Sequence, residues 1–214
     1  MGDLVLVRHG ETAWTVSRRH TSYTDLPLTA YGEEQARDIK PLLAGRAIAA
    51  AFVSPLERAR HTAELAGIDN AQTLPALHEW NYGAYEGITT ADIQRLRPDW
   101  KLWTHGTPPA PDLAGGESPL AVGLRADCVL AHLEPFLSDP EAGDVVLVGH
   151  GHFLRVITAR RLGLQSAAGA LFVLGTGAVS RLGTEHDAPA LTAWNITADT
   201  VGPTDRPSLS HRID

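Results

Sequence analysis

The chain has 214 residues, 43% of them hydrophobic, and 18 Lys and Arg against 25 Asp and Glu give a formal net charge of −7. This is enough apolar surface for the core of one ordinary domain, and an acidic chain without a basic cluster does not suit a nucleic-acid backbone. A single cysteine rules out an intramolecular disulfide framework, no apolar run approaches the ~20 residues of a membrane span, and MGDLVLVRHGE lacks a basic leader, so a cytoplasmic protein is expected.

In chain order, Asp3 to Val7 is an apolar run that stops at Arg8-His9-Gly10, the pattern of a buried parallel strand opening into a polar loop. Thr29 to Leu43 carries Ala36, Ile39, Leu42 and Leu43 at helical spacing, and Ile48 to Val53 reads as a second strand. Ser54-Pro55-Leu56-Glu57 predicts a helix capped by Ser54, with Pro55 at its first position and Arg58 in its first turn. Leu56, Ala59, Ala63 and Ala66 form its apolar face and Gly67 its stop. Gly106 to Gly116 reads as a surface loop. A helix follows Ser118-Pro119, with Val122, Ala126, Val129, Leu130 and Leu133 on one side and Pro135 in its last turn. Cys128, in ADCVLAHL, reads as part of a buried helix face.

Asp144 to Val148 repeats the opening device, running into Gly149-His150-Gly151, and a helix is expected from about Phe153 to Leu162. Leu171 to Leu174, Val179 to Leu182 and Leu191 to Ile196 read as later, partly antiparallel strands. Residues 1–201 then form a single domain, with a flexible tail over 202–214. The expected fold is α/β: a three-layer sandwich with a mostly parallel central sheet and helices on both faces. Ligands in such folds gather outside the carboxyl ends of the strands, where His9, the Arg58 helix start and His150 should meet.

These residue types suit a phosphate monoester. Its transferring group needs positive charge and donors around the equatorial oxygens, which Arg8, Arg58 and His150 can supply; a guanidinium stays charged and matches phosphate in a fork. A neutral imidazole oriented through one ring nitrogen can attack phosphorus with the other, which makes His9 the candidate nucleophile. Glu79 is the candidate acid for the leaving alkoxide and then base towards water, with Glu11 in reserve. The chemistry calls for no metal and no cofactor. Among ten histidines only His150 and His152 are closely spaced, and two residues apart on a loop is weak evidence of a metal site. Glu117 and Ser118 read as helix-capping residues.

VRHGETAW at 7–14 resembles the signature of the histidine phosphatase superfamily, which includes the cofactor-dependent phosphoglycerate mutases. TDLPLTAYGEEQA at 24–36, VSPLERARHTAE at 53–64, LHEWNYGAYEG at 77–87, GGES at 115–118 and LVGHG at 147–151 agree with it in order and spacing. The resemblance implies a phosphoglycerate mutase-like fold, phosphorylation of His9, phosphoryl binding by Arg8, Arg58 and His150, and proton donation by Glu79. It also puts Thr15 in the phosphate pocket, where mutase relatives usually carry asparagine, and Ser22 where many relatives have glycine.

Trp80-Asn81 stands where mutases have Arg-His after the acid glutamate. Between Gly87 and Ser118 the chain offers Arg95, Arg97 and Lys101 instead of the mutases' longer, more basic insertion, which favours water as acceptor. The segment from Glu79 to Gly87 resembles the branch containing sedoheptulose bisphosphatase and small bacterial acid phosphatases. That implies a sugar phosphate, with a leaving-group side near Thr21, Ser22, Tyr23, Trp80, Tyr82 and Gly151, and Trp103 or His105 beyond. The expectation is a phosphatase acting on a small phosphorylated metabolite, without nucleic-acid or membrane partners and with a homodimer left open. A phosphoglycerate-type mutase and a non-catalytic phospho-ligand binding protein are the alternatives.

Overall fold

The computed structural model describes residues 2–110, 115–139 and 143–200. The expected tail over 202–214 and the middle of the Gly106 to Gly116 loop lie outside the described residues. In chain order the elements are β1 (Leu4–Arg8), α1 (Ala13–Val16), α2 (Ala30–Leu42), β2 (Ile48–Val53), α3 (Glu57–Leu65), β3 (Gln72–Thr73), α4 (Thr90–Leu96), α5 (Leu102–His105), α6 (Pro119–Leu137), β4 (Asp144–Gly149), α7 (Gly151–Arg161), β5 (Val179–Glu185) and β6 (Ala188–Ile196). No helix of the described residues is long and apolar enough to cross a membrane.

The strands form one sheet in the order β3-β2-β4-β1-β5-β6. The first four run parallel, while β5 and β6 are antiparallel additions. Strand side chains alternate between the faces. Leu4 and Leu6 of β1, Phe52 of β2, and Val145 and Leu147 of β4 pack with Val122, Ala126, Val129 and Leu133 of α6 and Phe153, Leu154 and Ile157 of α7. Val5, Val7, Ala51, Val53, Val146 and Val148 face the opposite way, onto Ile39 of α2 and Ala59 and Ala63 of α3. Covered on both faces, β1 and β4 therefore read as unbroken apolar runs, and the expected three-layer sandwich is the one observed.

Four local expectations are corrected. Ser54 does not cap α3; its hydroxyl is bonded to His150, Leu56 is the capping position, and the Glu57 amide is taken by Asp25 Oδ1 at 2.8 Å. Helix α7 begins at Gly151, two residues before the expected start, with His150 at its cap. Cys128 is exposed, because the buried stripe of α6 runs through Val122, Ala126, Val129, Leu133 and Leu137 and two residues past Ala126 is the far side of the helix. Leu171 to Leu174 is not a strand: a 3₁₀ turn over Ser166–Leu171 runs into irregular chain. With β5 already beside β1, this segment is held by side chains instead, Trp194 Nε1 donating to the Val173 carbonyl at 2.6 Å and Asn195 Oδ1 accepting from the Gly175 amide at 2.6 Å.

Candidate active site

The sheet order β2-β4-β1 sets three strand ends side by side, and the residues that follow them meet. Arg8 pairs with Gly149 in register, the His9 amide donates to the Gly149 carbonyl at 3.0 Å, and the Ser54 amide donates to the Val148 carbonyl at 3.0 Å. His9 and His150 thus lie with ring centroids 5.1 Å apart, edge to face, and the buried Arg58 enters from the first turn of α3.

His9 Nδ1 donates to the Gly10 carbonyl at 2.7 Å. A carbonyl only accepts, so the ring proton sits on Nδ1 and Nε2 keeps its lone pair. Burial, then the Arg58 and Arg8 charges, hold the imidazole pKa well below 6.5, so the ring is neutral at physiological pH. His150 is likewise held well below 6.5, by burial first and Arg58 second. Its Nε2 shares a 2.7 Å hydrogen bond with Ser54 Oγ, which itself accepts from the Leu56 amide at 3.4 Å. A hydroxyl can accept and donate at once, so Ser54 is able to donate to Nε2 in the tautomer that carries the His150 proton on Nδ1.

The two arginines are each anchored on one side and unpaired on the other. Arg58 donates to the carbonyls of Thr24 and Ser22 at 3.0 Å and approaches that of Thr21 at 3.5 Å. Arg8 donates to the Leu174 carbonyl, and its guanidinium lies against Gly151, where an added Cβ would come within 3.0 Å of Arg8 Cζ. Arg8 Nε, Arg58 Nε and His150 Nδ1 are buried with no hydrogen-bond partner among the described residues. Buried donors left unpaired cost roughly 1–3 kcal/mol each, and an oxyanion with several lone pairs is the chemistry that satisfies both guanidinium N–H groups together with a His150 Nδ1–H.

Glu79 is buried beside them. Its Oε1 accepts from the Trp80 amide at 2.7 Å and the Phe153 amide at 2.8 Å, and Oε2 from the His152 amide at 2.9 Å. The early start of α7 thus supplies helix N-terminal amides to this carboxyl. Burial raises its pKa above 4.5, against the opposing pull of those amides and Arg8. Oε2 accepts only one of the three amide bonds, which leaves it a lone pair for a proton.

The other expected residues divide. Ser22 is buried at the site with its hydroxyl unpartnered among the described residues. Thr21 Oγ1 donates to the Arg19 carbonyl at 3.1 Å, and Thr15 Oγ1 is engaged with the Thr12 backbone at both ends, at 2.9 Å. Tyr82 is buried, its hydroxyl 2.5 Å from His152 Nδ1. Trp80 is wholly buried, edge to face with Trp103. Tyr23 is exposed and reaches His78 Nε2 at 3.3 Å, while His105 is exposed on α5. Glu11 accepts from Thr29 Oγ1 at 2.8 Å, at the start of α2. With His152 turned to Tyr82 and His150 to Ser54, the pair does not converge. Among the described residues no group of three or more His, Cys, Asp or Glu is arranged to hold a metal ion.

Two carboxylates at the site escape sequence reasoning. Glu86 accepts from the Ser22 amide at 2.8 and 2.9 Å and from the Thr24 amide at 3.1 Å. It clamps the loop whose carbonyls hold Arg58. Asp25 caps α3 and lies 3.9 Å from the Arg58 guanidinium. The available signals were the place of Asp25 in the segment TDLPLT and of Glu86 in the segment Tyr85-Glu86-Gly87.

Comparison with known proteins agrees with this geometry. The family model described as Histidine phosphatase superfamily (branch 1) matches residues 4–197. An acid phosphatase of Mycobacterium tuberculosis is 39% identical over 196 residues, 91% of this chain and 92% of that protein. Sedoheptulose 1,7-bisphosphatase of Saccharomyces cerevisiae is 32% identical over 188 residues, 75% of this chain and 67% of that protein. The solved structure of the open reading frame Rv3214 of Mycobacterium tuberculosis superposes with a TM-score of 0.83 at 38% identity, covering 92% of this chain and 98% of the other. Strand-end histidines, flanking arginines, matching architecture and a family match over residues 4–197 converge on one assignment: the chain belongs to the histidine phosphatase superfamily, branch 1.

Proposed function

We propose that the protein is a phosphomonoesterase that passes the phosphoryl group of a small phosphorylated metabolite through His9 to water. His9 Nε2 attacks phosphorus, the bond to the ester oxygen breaks, and that oxygen takes the proton held by Glu79. Arg8, Arg58 and His150 Nδ1 donate to the three equatorial oxygens as charge spreads over them. Glu79, now ionised, takes a proton from water as that water attacks the phosphohistidine. The phosphorus–nitrogen bond breaks, and inorganic phosphate and neutral His9 are restored. The observation that carries this reading is the set of three buried, unpartnered nitrogens, two of them guanidinium donors, around a neutral imidazole whose free nitrogen is Nε2.

A sugar phosphate fits the leaving-group side best. Support comes from the yeast sedoheptulose bisphosphatase among the relatives, the unpartnered Ser22 hydroxyl, and the exposed Tyr23–His78 pair. The residues named here need no metal and no cofactor to act.

The test is hydrolysis by chelator-treated protein across sugar mono- and bisphosphates, phosphoglycerates and p-nitrophenyl phosphate, with His9→Ala beside it. Phosphate release by wild type alone is expected. Near-normal release by the folded His9→Ala protein overturns the mechanism. Phosphoryl transfer between substrate oxygens that depends on a bisphosphorylated primer would instead identify a mutase.

A further inference from the structure

We propose that Arg125 and Glu117 form the device that positions the Glu79 carboxyl for proton transfer, an inference that rests on the assignment of Glu79 as the acid. Arg125 stands on α6, opposite the chain segment that carries Glu79, and its guanidinium has five N–H groups. Nε donates to Glu117 Oε1 at 2.8 Å and one Nη2 hydrogen to Glu117 Oε2 at 2.7 Å, a fork-on-fork pair. Nη1 donates to the carbonyls of Ala76 and His78, both at 2.8 Å, and Nη2 also reaches the Glu79 carbonyl at 3.3 Å. Five donors meet five acceptors, so this cation has nothing left for substrate.

Glu117 in turn accepts from the Asn81 amide at 2.8 Å. The pair therefore holds three carbonyls up to and including Glu79 and the amide two residues beyond it. It also touches the other support of the acid: the Arg125 guanidinium lies 3.8 Å from the centre of the Phe153 ring, and the Phe153 amide donates to Glu79 Oε1. The backbone of Glu79 is thus fixed to one half-buried ion pair, whose side chains are 13% and 15% exposed, and its carboxyl is bonded to the amide of the residue whose ring that pair covers. Lysine cannot replace this arrangement, since an ammonium has three donors and no planar fork.

A general acid displaced by part of an ångström fails first where the leaving oxygen most needs a proton. Turnover of glycerol 3-phosphate, which releases an alkoxide, is therefore compared with that of p-nitrophenyl phosphate, which releases a stable phenolate, in wild type, Glu79→Gln, Arg125→Lys and Glu117→Gln. Both clamp variants should lose roughly 10- to 100-fold in kcat/KM, which reports phosphorylation ahead of the attack of water common to both esters, on glycerol 3-phosphate and only about threefold on the aryl ester, with inhibition by inorganic phosphate nearly unchanged. The double variant E79Q/R125K should be no slower on the alkyl ester than E79Q, because the clamp acts through the acid. If R125K fails to fold, E117Q carries the same comparison. Equal losses on both esters, or additive losses in the double variant, overturn the positioning role while E79Q keeps its leaving-group dependence. If E79Q itself shows no such dependence, the acid assignment falls and the clamp proposal with it.

Discussion

A histidine that attacks phosphorus must be neutral, and an acid that protonates an alkoxide must hold its proton. Burial sets both conditions at this site, pushing His9 well below 6.5 and Glu79 above 4.5. The pH dependence follows from these directions. The first step needs protonated Glu79 and slows as pH rises through its elevated pKa, while the second needs ionised Glu79 and slows as pH falls below it. His9 stays neutral well below 6.5 and so does not set an acid limb near neutrality. The kcat profile should be bell-shaped, and steady-state kinetics of E79Q should lack both limbs; a flat wild-type profile contradicts the cycle. His9, Arg58 and His150 were legible in the sequence because each follows a strand or opens a helix where its neighbours announce the element, and Glu79 through its place in the segment LHEWNYGAYEG. Glu86 and Asp25 were not, because the amides they accept from lie 64 and 32 residues away in the chain, and only the folded sheet brings them together. Trp80, next to the acid in sequence, is buried with its indole edge to face with Trp103.

Between elements, the loop that presents His9 is held by the close approach of α2. A Cβ added to Gly32 would sit 2.2 Å from the Glu11 carbonyl oxygen, and one added to Gly10 would sit 2.2 Å from the Gly32 carbonyl oxygen. A helical glycine replaced by alanine ordinarily gains up to about 1 kcal/mol in propensity, whereas overpacking against backbone costs about 1–3 kcal/mol or more. Gly32→Ala should therefore lower stability in urea denaturation and weaken inorganic phosphate binding; a stabilised variant of unchanged affinity would contradict the packing. Boundaries read from sequence erred where tertiary contacts overrode local signals. Ser54 looked like a cap, yet its hydroxyl is spent on His150 and Asp25 caps α3 from afar. The apolar pattern of Leu171 to Leu174 suited a strand, but β1 has β4 and β5 at its two edges.

Over the whole molecule, the buried histidines couple stability to pH. His9, His150 and His152 lie well below 6.5 and His20 at about 4, burial being the first cause for each. An unfolded imidazole titrates near 6.5, so their contribution is fully present above that pH and lost as pH falls through the folded values, between 6.5 and about 4 for His20. His78 is also lowered, by burial first, and Glu79, raised, acts with the opposite sign, one group against five. Thermal melts should show Tm falling as pH drops from 6.5 towards 4; a level or rising Tm would contradict the buried neutral histidines. The most direct test of the central claim is to quench the enzyme during turnover of a labelled substrate and map the label. The account predicts an acid-labile, alkali-stable phosphoryl group on the peptide containing His9, absent from His9→Ala. Turnover with no label on His9, or with label on another side chain, would contradict it.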